Sequence, residues 1–382
     1  MPRVSTENLF KPKLLNWAVA RTGLPAAELV KKLGISNDIL AHWQDGTASP
    51  TIVQAEKLAK TASIPFPLLF LNEIPDLSID IPDFRTPNSV KLSHPSLDLE
   101  TVINHARLCQ DWYREFLQTN DEPPNRFTGL LSSVDDYSCA AAQLVQILCV
   151  NELRQATKNQ DDFLRALVKQ AETVLGVCVM RCGHVKTNTK RTLNPQEFRG
   201  FALTDTYAPL VFINTQDALS GQVFTLIHEL VHIARNQSGV SGNEDNAAEE
   251  RYANTVTGIV LIPDDVLPQL TDSPSLLSDA ERIAKSLRVS SWAVLTRARS
   301  ASRISEESYH QAVAELRRNL RRPKHKGDGS DFYQMQQAAL GKNLAGAMIS
   351  AVRTGHLPYR EMWQMTGIKP ANVDKFSDRV FS

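Results

Sequence analysis

The sequence lacks any imbalance of charge: 42 Lys and Arg residues stand against 42 Asp and Glu in 382 residues. A chain-wide field for nucleic acid or an anionic membrane is thereby excluded, and any DNA contact has to come from a local patch. There is no run of roughly 18 apolar residues, so no membrane partner is expected. The opening Met1-Pro2-Arg3-Val4-Ser5-Thr6-Glu7 shows no basic-then-apolar signal. Cysteine is sparse and odd in number, five in all, with no C-x-x-C pair. That argues against a disulfide framework and fits a reducing compartment, so a cytoplasmic location is expected. A repeat of fixed period is also missing.

What is present is an ordinary globular composition, 42% hydrophobic and 22% charged, in a chain long enough for two or three domains. The expected class is multidomain and mostly α, with an α+β core. Residues 1–72 read as five short helices around a tight Leu33-Gly34-Ile35-Ser36 turn, an all-α helix-turn-helix module. Residues 73–128 read as a Pro-, Asp- and Ser-rich linker followed by a long helix from His94 to about Thr119. Two further helices are expected near 135–152 and 160–174. The period then shifts to two, and Gly176 to Cys182, Gly200 to Thr204 and Pro209 to Asn214 read as strands. Helices follow from about Ala218 to Arg235 and from Asn246 to Ile262, closing a domain at 129–265. The remainder, 266–382, reads as helical, with helix-turn-helix-like segments and a basic, glycine-containing gap at Arg321 to Ser330.

The chemistry sits in Phe224-Thr225-Leu226-Ile227-His228-Glu229-Leu230-Val231-His232-Ile233, an H-E-x-x-H on a helix. Histidines four apart share a face and converge on one ion, expected to be Zn2+. The intervening Glu229 is the expected proton acceptor from water. Apolar flanks mark the helix as buried against a sheet or another helix. A catalytic zinc needs a third protein ligand and an open position. On the next helix Glu250 and Asn254 are four apart, and Glu250 is the preferred ligand with Asn254 as a supporting neighbour of a histidine. Glu249, one residue round, is the competitor; Glu244 and Asp245 read as helix-capping residues. Tyr207, Tyr252 and His184 are unranked candidates for stabilising an oxyanion. The strands around Arg199–Leu203 and Leu210–Asn214 are expected to pair, one of them serving as an edge for a substrate backbone. Cys178, Cys182 and His184 form a C-x-x-x-C-x-H pattern. A closed zinc site needs four ligands, so Cys178 is read instead as packing in a buried strand.

These pieces together resemble the ImmA/IrrE family of zinc metallopeptidases. The matching residues are Ile81–Thr86, Arg199–Phe201, Pro209–Asn214, Phe224–His232 and the helix Glu249–Asn254 followed by Leu261-Ile262-Pro263. Gly327 to Tyr333 resembles the tails of longer members. The resemblance implies zinc and a protein substrate, typically a repressor of the helix-turn-helix kind whose cleavage releases genes of a mobile element, defence or stress system. Some multidomain members are described chiefly as transcription regulators.

The N-terminal segment Ala26 to Gly46 resembles an Xre-like (lambda-repressor-like) helix-turn-helix. By position, Asn37, Asp38 and His42 would face base edges and Ser36 a phosphate. Met1 to Asn72 carries 8 basic and 5 acidic residues, a net of +3, which is modest for DNA. A protein partner is the other reading of this module. The expected function is an intracellular zinc endopeptidase fused to a DNA-binding domain, acting on a repressor-type protein. The alternative is a transcription regulator or antitoxin-like component whose zincin domain senses a ligand or partner without proteolysis. A homodimer is compatible with either.

Overall fold

The computed structural model describes residues 9–62, 64–75, 96–236, 245–319 and 331–381. Ile81–Thr86, most of the expected linker, and all but the last residues of the Gly327–Tyr333 segment lie outside the described residues. The chain divides into two compact units, and the division falls between 101 and 102.

The first unit holds α1 (Pro12–Arg21), α2 (Ala26–Leu33), α3 (Asn37–Asp45) and α4 (Ile52–Thr61). Pro12 begins α1, where its missing N–H is no loss. Ser36 Oγ accepts the Ile39 N–H at 3.3 Å and so starts α3. Thr51 and Gln54 cap α4 reciprocally. Phe66 to Leu71, expected to close the unit as its fifth helix, holds a 3-10 turn at Phe66–Phe70. Trp43, Leu15, Leu29, Leu33 and Leu58 form the core of this unit.

α5 (Leu97–Thr119) begins in the first unit and enters the second. Then come α6 (Tyr137–Leu148), α7 (Val150–Ala156) and α8 (Gln160–Thr173). A single helix was expected over 135–152; Cys149 breaks it by adopting φ +51°, a left-handed conformation that nothing in its residue type announces.

Five strands follow: β1 (Cys178–Cys182), β2 (His184–Val185), β3 (Asn188–Thr192), β4 (Gly200–Leu203) and β5 (Leu210–Asn214). The main sheet has the order β1-β5-β4, with β5 parallel to β1 and antiparallel to β4. Phe201 lies opposite Phe212, and their rings stack at 5.1 Å. β5 is buried on both faces, which is why Leu-Val-Phe-Ile reads as a continuous apolar run. β2 and β3 form a separate hairpin.

α9 (Leu219–Ala234) packs on β4 and β5, between α8 and α10 (Asp245–Leu261). A 3-10 turn at Asp264–Gln269 leads to α11 (Leu276–Leu287), α12 (Ser291–Ser300) and α13 (Glu306–Asn319). The last helices are α14 (Phe332–Leu340), α15 (Lys342–Arg353), α16 (Tyr359–Thr366) and α17 (Val373–Phe381). The apolar core around α9 does not stop at residue 265. It continues through Leu277, Ile283, Leu295 and Val313. α14 and α15 pack on β1 instead.

Three arginines after the end of α11 and on α12 are tied into the fold. Arg288 donates to Thr157 O, Arg297 pairs with Asp264, and Arg299 lies over the Tyr309 ring at 4.3 Å. No helix among the described residues is long and apolar enough to cross a membrane.

Candidate metal centre

α9 is apolar nearly all round, so it can only be an internal helix. On it His228, Glu229 and His232 are 0%, 1% and 6% exposed. Polar groups placed this deep need partners or a ligand to offset their desolvation. The i, i+4 spacing sets the two imidazoles edge to face, 4.7 Å between ring centroids. Their Nε2 atoms are 3.1 Å apart.

The third group comes from α10. Glu250 Oε1 lies 3.1 Å from His232 Nε2 and 3.5 Å from His228 Nε2. Burial works to raise the Glu250 carboxyl, but hydrogen bonds and charge from His228 and His232 outweigh it and hold it well below the usual range. Among the described residues this is the one cluster of three or more His, Cys, Asp or Glu side chains with ligand atoms this close. Cys178, Cys182 and His184 do not make such a cluster. The Cys178 thiol points to Leu340 O, and burial pushes it well above its ordinary range.

The donor set fits zinc by chemistry and by spacing. Ligands at about 2.0–2.2 Å from a tetrahedral ion are about 3.3–3.6 Å from one another. The 3.1–3.5 Å triangle of two imidazole nitrogens and one carboxylate oxygen lies within a few tenths of an ångström of that.

Glu250 faces the histidines, while Glu249 is held away from them by Arg235, the residue that follows α9. Its guanidinium donates to both Glu249 oxygens, at 3.3 and 3.0 Å. It also donates to the carbonyls of Leu131 and Ser132 at 2.9 and 3.2 Å, and it lies over the Tyr252 ring at 4.5 Å. With Glu249 held there, the rotation of α10 presents Glu250 to α9. Tyr252 is part of the same clamp, its hydroxyl donating to Val134 O. A lone arginine directly after an apolar helix was the signal for this role, and sequence reasoning passed over it.

Gly200 brings the sheet to the centre. A Cβ there would lie 2.4 Å from Thr225 Cγ2 and 2.6 Å from Phe212 O, so only glycine lets β4 pack this close to α9. That same point is 3.7 Å from Glu229 Cγ, which puts the β4 edge beside Glu229. Asn254 sits one turn beyond Glu250, half-buried, and among the described residues no hydrogen bond joins it to either imidazole. In the first unit Ser36, Asn37, Asp38 and His42 are all exposed, and the Ser36 hydroxyl oxygen serves as the cap of α3. Of the remaining oxyanion candidates, the His184 ring is held by Lys186 O at 2.8 Å.

No curated protein and no solved structure matches the chain. Residues 173–299 match the family model described as the IrrE N-terminal-like domain, Peptidase_M78. The matched stretch, 127 of 382 residues, contains the whole sheet, α9 and α10, and leaves out the first unit. The part of the chain that builds the His-His-Glu cluster is therefore similar to metallopeptidases of the ImmA/IrrE type.

Proposed function

We propose that the chain is a zinc-dependent endopeptidase that cuts a regulatory, repressor-type protein and docks on DNA through its first unit. The observation that carries the peptidase reading is the convergence of His228, His232 and Glu250, with Glu229 on the same buried turn of α9. His228, His232 and Glu250 would hold the ion and leave a fourth position for water or a peptide carbonyl. When bound, zinc supplies Lewis acidity at that position.

The remaining steps belong to the protein. Glu229 takes a proton from the attacking water at its carboxylate and hands it to the nitrogen of the leaving amine. Its burial keeps bulk water from competing for that proton. β4, the sheet edge beside Glu229, aligns an extended peptide by strand pairing. Asn254 steadies one imidazole once the ion is in place. On α3, Asn37, Asp38 and His42 meet base edges and Ser36 a phosphate. The support for this is that all four are exposed at the start and outer side of a short, well-capped helix.

The test uses the full chain, loaded with zinc, and a repressor encoded beside it. Wild type cleaves the repressor, and Glu229→Gln, with equal zinc content, is slowed by at least about a hundredfold. Intact repressor with both proteins at full zinc occupancy would overturn the peptidase reading.

A further inference from the structure

A second site lies on the face of the sheet away from α9. Residues of β1 and β5 alternate between faces: Val179, Val211 and Ile213 join the core around α9, whereas Met180 and Phe212 line a cavity of about 230 Å³. α5, the β2–β3 hairpin, α14 and α16 enclose it. The lining contains no Asp or Glu.

Two features indicate what the cavity takes. The first is Gln336 on α14, which lines it while only 5% exposed. Its side-chain amide has no hydrogen-bond partner among the described residues. The amide is therefore available to a ligand in the cavity that accepts from it. The second is Lys186, at the tip of the hairpin with φ +51°, a conformation rare for lysine. The tip is held there from two sides. His184 Nδ1 bonds to Lys186 O at 2.8 Å, and Thr187 packs onto Gly367 so closely that a Cβ at that glycine would fall 2.4 Å from the Thr187 methyl. Lys186 has no ion-pair partner among the described residues. The imidazole of His105, also in the lining, is engaged with Met365 O at 2.7 Å, and burial holds its pKa down. Lys186 is the one Lys or Arg among the described lining residues.

We propose that this cavity binds a small organic acid. Its carboxylate pairs with Lys186 and accepts from the Gln336 amide, and its apolar body rests on Phe212, Met180 and Trp363. A 150 Å³ apolar cavity suffices for benzene, so about 230 Å³ suits a body of about ten non-hydrogen atoms. The site is independent of the zinc centre and of the peptidase reading.

The experiment is calorimetric titration of the full chain with benzoate, benzyl alcohol and benzylamine, three probes of one shape and different charge. Benzoate is expected to bind once per chain, at least tenfold tighter than benzyl alcohol, with benzylamine weaker still. Lys186→Gln lies on an exposed hairpin tip, where folding is not at risk, and it should abolish the tenfold preference while leaving benzyl alcohol unaffected. Gln336→Leu should weaken benzoate in a chain whose circular dichroism is unchanged. Absence of saturable binding, or equal affinity for the three probes, would overturn the proposal. So would a benzoate preference that survives Lys186→Gln, since that binding would belong to another cation, the zinc centre included.

Discussion

α3 and α9 each carry side chains singled out for function, yet they hold them in opposite ways. α3 shows Asn37, Asp38 and His42 to solvent, where a polar residue needs no partner. α9 buries His228, Glu229 and His232 to 6% exposure or less, where every polar atom has to be accommodated by its surroundings. A buried polar cluster therefore commits many neighbours: Arg235 clamps Glu249, and Gly200 admits β4. An exposed row commits none. The difference predicts that substitutions near α9 cost stability as well as the proposed peptidase activity, and that substitutions on the α3 face cost only the proposed DNA binding.

The largest expected effect is at Gly200. Gly200→Ala forces a methyl against Thr225 and the Phe212 carbonyl and should destabilise the chain by about 3 kcal/mol in urea unfolding. A neutral result would break the claim that close packing of β4 on α9 is required.

Next is pH. Burial pushes the Glu172 carboxyl up to about 7 from an ordinary 4.5, against hydrogen bonds from the Lys342 N–H and its neighbours. The folded chain then holds this proton more tightly than the unfolded chain. Its contribution is fully present below about pH 4.5 and is lost as pH rises through about 7. The loss is on the order of 2–3 kcal/mol. Urea unfolding at pH 5 and pH 8 should show it in wild type, and Glu172→Gln should flatten it.

Arg235→Met follows. It strands Glu249 and the carbonyls of Leu131 and Ser132, and should cost about 2 kcal/mol, less than a fully buried pair because Glu249 keeps some exposure. Zinc affinity should fall with it, as α10 loses its rotational lock. Unchanged zinc affinity in a folded Arg235→Met chain would show that Glu250 is placed by something else.

The smallest effect is on α3. His42→Ala and Asn37→Ala should change stability by less than about 0.5 kcal/mol while weakening binding to DNA. A large loss of stability there would erase the contrast with α9.

The same contrast explains what was legible in the sequence. Histidine and glutamate at helical spacing inside an apolar run stand out because burial makes them expensive, and the structure brings His228 and His232 together with Glu250. The parallel run Leu210–Asn214 was legible for a similar reason, since both its faces are buried. β3, Asn188 to Thr192, is mostly exposed and polar, so no apolar alternation announced it. Cys149 and Lys186 adopt left-handed conformations that glycine or asparagine would have signalled and these residues do not. Long-range partners were the least visible. That Arg235 would choose Glu249 and leave Glu250 to the histidines depends on how α9 and α10 pack, which no local pattern encodes. The cavity behind the sheet likewise needs α5, α14 and α16 to meet, residues far apart in the chain.

The most direct measurement is metal content of the purified full chain and of three variants, each checked for folding by circular dichroism. The account predicts one zinc per wild-type chain, near-complete loss in His232→Ala and Glu250→Gln, and only a partial fall in Glu249→Gln, which keeps an acceptor for Arg235 but not the charge. Zinc that stays in Glu250→Gln, or that leaves as completely with Glu249→Gln as with Glu250→Gln from an intact fold, would contradict the His228, His232 and Glu250 site.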